Sequence, residues 1–229
     1  AITYYAKLLK QLGTLEGTKT AFTILVKGFK DTSQYRFRVE AADIKILHDT
    51  ANIEQLQSQY DETNDAELLG QIEKSRVELL VFKKQEFEER AEKYPTDRAI
   101  KFQLGLLAIE DKDVNLAMEC FQKSKDEPKL RVRAGHELGK CFVSEGWFAE
   151  AIGEFKESIK ALAGSDNATE LSIRYDLMQA LAKKAEADKN VELAREAMEI
   201  CSGIARKDIS YRDIRDCRRH LDTLVKELD

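Results

Sequence analysis

Apolar residues recur at steps of three and four along most of the chain, and short polar turns interrupt them at regular intervals. The segments "KFQLGLLAIEDKDVNLAMECFQKS" (101–124) and "GHELGKCFVSEGWFAEAIGEFKES" (135–158) each read as two amphipathic helices around one turn. Laid over each other, Leu104-Gly105 falls on Leu138-Gly139, Ala108 on Phe142 and Ala117 on Ala151. Phe121 falls on Phe155 and Ser124 on Ser158, every offset being 34 residues. The small residues Gly105/Gly139 and Ala117/Ala151 let two helices approach, and large residues three or four positions away fill the space between successive units. Lys112 or Gly146 supplies the turn, and Pro128 ends a second helix.

This pattern resembles the tetratricopeptide repeat (TPR) family, as found in bacterial-type proteins, whose 34-residue unit carries an LG pair, an A-x3-F step and a late proline. The resemblance implies an all-α fold, a right-handed α-solenoid of helical hairpins. It is specific at 98–131 and 132–165. A third unit, 166–207, contains "MQALAKKAEADKNVELAREAMEIC", with Leu181-Ala182, Ala194 and Met198 in the matching places. It follows the second after 43 residues instead of 34, and the extra nine fall around "LAGSDNATE". There Asn167 and Glu170 have capping-box spacing, which would start the first helix of this unit about two turns early. A degenerate hairpin is expected at 1–34, with Tyr5, Leu8-Leu9, Leu12, Ala21 and Leu25 at equivalent spacings.

Residues 35–93 do not follow the repeat. Val39, Ile46, Ile53 and Tyr60 have heptad spacing; after the polar "DETND", apolar periodicity resumes through Leu68, Ile72, Leu79, Phe82 and Phe87 up to Pro95. The spacing predicts an elongated antiparallel helical hairpin, each helix of about 25 residues and roughly 38 Å long. Residues 208–229, with Tyr211, Ile214, Cys217, Leu221, Leu224 and Leu228, are expected to form a charged helix capping the stack.

Composition narrows the functional classes. The net charge of −5 argues against a broad grip on nucleic acid, and apolar runs such as "AFTILV" are too short to enter a membrane directly. Cys120, Cys141, Cys201 and Cys217 are far apart and form no CxxC pair, so buried free thiols in a reducing cytoplasm are expected. The chain opens at Ala1 in a helical pattern, so either an initiator methionine was removed or, the favoured expectation, this is a fragment of something longer, with an upstream targeting segment left open. His48, His136 and His220 have no metal-binding spacing, and no phosphate loop, nucleophile elbow or dinucleotide fingerprint occurs. No catalytic residue, cofactor or metal is expected, and the chain reads as a non-enzyme. "DKDVNLAMECFQ" (111–122) starts like a calcium loop, but Leu116 replaces its glycine and Gln122 its glutamate. "NAT" at 167–169 matches a glycosylation acceptor that helix capping also explains.

The resemblance places the first helix of each hairpin on a concave face, where residues flanking the LG pair point into a groove. These are Ala99, Phe102 and Leu106; then Arg133, His136 and Lys140; then Asp176, Gln179 and Lys183. The middle helix offers a basic stripe beside an apolar patch, suited to a protein or peptide segment with an acidic group and a hydrophobic anchor. Some family members hold a C-terminal carboxylate with paired lysines and asparagines; Lys140 and Lys183 could stand for the lysines, but the asparagines are absent. The leading expectation is an interaction scaffold. The alternatives are self-assembly through the long hairpin, making a homo-oligomer, or service to an active domain outside this chain. Phe148 matches Val114 and is expected in the core. Trp147 matches Asp113, a polar position at the turn. Its ring either lies across the turn and the neighbouring repeat or is an exposed anchor.

Overall fold

The computed structural model describes residues 2–11, 15–162 and 167–229, which form eleven α-helices and no strand. They divide into two compact units, 1–89 and 90–229.

In the first unit, α1 (Ile2–Gln11) and α2 (Leu15–Thr32) pack together, and α2 packs on α3 (Tyr35–Thr63). Ala6, Ala21, Leu25, Phe37, Ala41 and Ile44 form their core. Leu8 and Tyr5 are exposed instead, and Leu12 lies outside the described residues. Helix α4 (Ala66–Lys93) runs back along α3. The pairings fix the antiparallel direction: Arg38 reaches Glu86, Lys45 lies over the Phe82 ring, and Arg76 donates to Gln57. With 29 and 28 residues these helices exceed the expected 25, and α3 alone is roughly 44 Å long. Their interior is thin: Ile53, Ile72 and Leu79 are buried, with Ile46, Leu56 and Tyr60 packed around them. Asn64 turns the chain in the left-handed region at φ 53°.

The second unit is a stack of helical hairpins: α5 (Arg98–Glu110) with α6 (Val114–Ser124), α7 (Arg131–Ser144) with α8 (Phe148–Leu162), and α9 (Asn167–Asp188) with α10 (Val191–Lys207). The glycines of the LG pairs explain the packing. A Cβ on Gly105 would lie 2.7 Å from Phe121 Cε1, and one on Gly139 would lie 2.4 Å from Phe155 Cε1. Both phenylalanines are fully buried, so each ring rests directly on the backbone of the facing helix. In the third hairpin Ala182 takes the glycine position and Met198 the phenylalanine position, a thinner and more pliable side chain admitting the extra methyl.

All three hairpins turn the same way. Lys112 (φ 62°), Gly146 (φ 76°) and Lys189 (φ 53°) occupy equivalent left-handed positions. In each case the next residue's N–H donates five residues back: Asp113 to Ala108, Trp147 to Phe142 and Asn190 to Ala185, at 2.8, 2.8 and 3.0 Å. This is the Schellman closure of a helix C-terminus. That next residue is also the N-cap of the second helix. Asp113 accepts from the Leu116 N–H, and Asn190 accepts from those of Glu192 and Leu193. Asp113 is thus a helix cap in the segment that begins like a calcium loop. Trp147 holds the same place in the middle hairpin, and indole has no oxygen to offer. The middle hairpin therefore forgoes a cap worth about 1 kcal/mol.

Helix α9 has 22 residues against 14 in α7; the side chain of Asn167 lies outside the described residues. Helix α11 (Ile214–Leu228) packs on α10 and buries Ile214, Cys217, Leu221 and Leu224. It begins later than the expected 208. Asp208 accepts from the Ser210 N–H and hydroxyl, and Arg212 is left-handed at φ 46°, so 208–213 folds as turns. The described residues are all-α, and this unit is an α-solenoid of helical hairpins.

Candidate functional site

The first helices α5, α7 and α9, followed by α11, are joined side by side by polar contacts, and most of the expected groove residues make them. Arg133 on α7 places its guanidinium 4.8 Å from the centroid of Phe102 on α5. His136 on α7 meets Asp176 on α9, Nε2 to Oδ2 at 2.6 Å, and its ring packs edge-on against Phe155. Gln179 on α9 donates to the Tyr175 hydroxyl at 3.1 Å and to Cys217 Sγ on α11 at 3.2 Å. Tyr175 in turn donates to Asp213.

One expectation fails here. Phe102 is only 2% exposed and packs against Phe121 at 5.6 Å between ring centroids, so it belongs to the core. The register position shared by Phe102, His136 and Gln179 faces the following helix, not open solvent. Arg133 covers the first, Asp176 the second and Cys217 the third. Leu106 is half-buried against the same core.

The solvent-facing cations divide unequally. Lys140 is paired with Glu137 at 2.6 Å on its own helix. Arg133 and Lys183 are exposed and pair with no described carboxylate. Ala99 is exposed, whereas Asp176 is occupied by His136 and, at 3.5 Å, by Arg212. The basic stripe is therefore Arg133, Lys140 and Lys183, with His136 already engaged.

Arg212, Asp213 and Tyr175 were not singled out from sequence, and Tyr211 only as an apolar position of the capping helix. Arg212 lies 4.5 Å from the Tyr175 centroid and 5.3 Å from that of Tyr211, and it donates to Ser172. Burial and the bond to Asp213 push the Tyr175 hydroxyl far above its usual pKa, and that bond holds Asp213 below the usual carboxylate range. Tyr175 is a fixed hydrogen-bond donor rather than an acid. Only the concentration of arginine after 207, beside the single Tyr211, hinted at this cluster, since it falls outside the repeat.

Other chemistry is sparse. All four cysteines are buried free thiols, and burial pushes Cys120 and Cys141 up to about 11. Among the described residues no group of three metal-binding side chains converges, and no helix is long and apolar enough to cross a membrane. A cavity of about 500 Å³ lies between α2 and α3 in the first unit, lined by Phe22, Ile44, Lys19, Lys45 and His48. Trp147 is 49% exposed, its ring 5.7 Å from that of Phe142 and tilted by 31°. Phe148 is half-buried.

No protein-family model matches the chain. No curated protein matches it either. Among solved structures it is similar to the MamA protein, at 17% identity over 86% of this chain and 97% of that one, with a TM-score of 0.41. It is also similar to a Podosopora anserina protein described as a kinesin light chain with nearly identical TPR-like repeats, at 16% identity, 75% and 95% coverage and a TM-score of 0.43. A de novo designed helical repeat protein aligns at 15% identity, 82% and 95% coverage and a TM-score of 0.29.

Proposed function

We propose that the chain is a non-enzymatic interaction scaffold that holds a partner peptide or helix on the face made by its first helices. The observation that carries this reading is the row of exposed cations Arg133, Lys140 and Lys183, with the half-buried Leu106, on helices locked in register by the His136–Asp176 contact. A partner segment with a carboxylate spaced from an apolar anchor meets both features. It does not enter the Phe102 position, which Arg133 closes. The helices need no movement to present this surface, so binding orders the partner rather than the scaffold.

The test compares two double variants in capture from the native extract. Lys140→Glu with Lys183→Glu reverses charge on the first helices, and Lys123→Glu with Lys160→Glu does so on the second helices α6 and α8. The reading requires loss of a specific partner in the first variant and retention in the second. Equal capture by both, or loss only in the second, removes it.

A second reading, self-assembly through the long hairpin, is supported by Val77 and Val81, one turn apart on α4 and 62% and 47% exposed. Light scattering of the intact chain tests it: a concentration-dependent dimer abolished by Val77→Glu with Val81→Glu supports it, and a strict monomer at high concentration ends it.

A further inference from the structure

Trp147 breaks the rule that its two counterparts keep. At the same register Asp113 and Asn190 cap the second helix with a side-chain oxygen; Trp147 gives up that cap and leaves half of a large apolar ring in water. The ring lies beside Phe142, 5.7 Å between centroids, and is still 49% exposed. Other aromatic rings carry a cation from the chain itself: Arg133 over Phe102, Arg212 over Tyr175 and Tyr211, Lys45 over Phe82 and Arg36 over Phe37. Among the described residues no cation lies over Trp147, although tryptophan has the strongest such face.

The surroundings are acidic. Glu145 and Glu150 flank Trp147, are exposed, and pair with no described cation. Consecutive helices of the stack are short-linked and packed, so their directions alternate and the three hairpin turns fall at one end. The turn segments 110–113 and 145–150 each carry a net charge of −2. In the third turn Glu186, Asp188 and Glu192 are paired with His220, Lys184 and Arg195, so it offers no free acidic group like those beside Trp147.

From the uncapped, exposed indole and its acidic flanks we infer that the turn edge of the hairpin stack is a second docking surface, for an arginine-bearing peptide segment. A guanidinium stacks on the outer face of Trp147 while Glu145 and Glu150 accept its N–H groups or those of a neighbouring arginine. This surface has the opposite charge preference from the first-helix face, so the two do not compete for one partner. It stands whether or not the first-helix face binds anything.

The experiment uses the intact chain and a fluorescein-labelled, end-blocked peptide of alternating arginine and alanine, with a glutamine-for-arginine peptide as control. Binding is read by anisotropy for the wild type, Trp147→Asp, and Glu145→Gln with Glu150→Gln. The wild type is expected to bind the arginine peptide and not the glutamine one. Trp147→Asp restores the cap and adds a negative charge, so it should melt no lower than the wild type and still bind about fivefold more weakly, the scale of an exposed cation–π contact. Loss of the two glutamates should weaken binding and flatten its salt dependence. If Trp147→Asp binds as well or more tightly, the edge is a simple polyanion and the inference is overturned. It is equally overturned if the wild type does not discriminate arginine from glutamine.

Discussion

Gly139→Ala tests whether the hairpins are held at the distance that the structure gives. The new methyl would lie 2.4, 2.7 and 2.9 Å from three ring atoms of Phe155, where carbon atoms settle at about 3.5–4.0 Å. The ring must retreat by roughly 1 Å, yet it is fully buried and backed by His136. Overpacking of this kind costs about 1–3 kcal/mol, while alanine gains about 1 kcal/mol over glycine in helix propensity. The net expectation is a loss of about 1–2 kcal/mol, near the upper end of what that balance allows. Gly153→Ala on the facing helix is the control: nothing lies within 4 Å of its Cβ, so only the propensity gain of about 1 kcal/mol remains. The third hairpin suggests the rescue, since Ala182 there faces Met198; Phe155→Met in the Gly139→Ala background should recover at least about 1 kcal/mol as coupling. Urea unfolding followed by Trp147 emission, which reports the α7–α8 hairpin, and by circular dichroism measures all five proteins, the single Phe155→Met included to close the cycle. Equal effects of the two alanine substitutions, or strict additivity with Phe155→Met, would refute the close-approach argument.

Three further outcomes follow from the turns and the buried groups. Lys112→Gly and Lys189→Gly should each raise the urea midpoint by the equivalent of about 0.5–1 kcal/mol, by relieving a left-handed L residue, and Gly146→Ala should lower it by about 1 kcal/mol; no change in either direction would contradict the assigned turn geometry. Cys120 and Cys141, pushed up to about 11 by burial, should resist a thiol reagent at neutral pH in the native state and react once unfolded; rapid native labelling of either would show that its hairpin opens. Glu170 is held below the usual glutamate range, mainly by its hydrogen bond from Arg174. Because the folded pKa is the lower one, its contribution is complete above the ordinary value of about 4.3 and is lost as pH falls through the folded pKa. The stability gap between the wild type and Glu170→Gln should therefore close on acidification, and a gap constant with pH would contradict the pairing.

The parts of the fold that repeat were legible because one physical constraint recurs at fixed spacing. Gly105 and Gly139 are small because a phenylalanine rests on each, and Lys112 and Gly146 mark the turn because the chain must reverse at the same point. Helices α3 and α4 were legible from heptad spacing, although their interior proved thin. Burial set by the next repeat was not legible. Phe102 sits at a position that elsewhere holds His136 and Gln179, and its enclosure depends on Arg133, 31 residues later. The cluster of Arg212, Tyr211, Asp213 and Tyr175 escaped for a related reason, since 208–213 has no counterpart in the repeat and its turns follow from Asp208 and a left-handed Arg212. Trp147 was conspicuous in the sequence, but the meaning of its place needed Asp113 and Asn190 to be seen as caps.

A photoreactive phenylalanine analogue at position 140 or 183, with 123 or 160 as controls, irradiated in the intact chain in its native extract, shows whether partners are held on the face of the first helices. One discrete partner adduct is expected from positions 140 and 183 and none from 123 and 160. Adducts of equal yield from all four positions, or from the second-helix positions alone, would place the partner elsewhere.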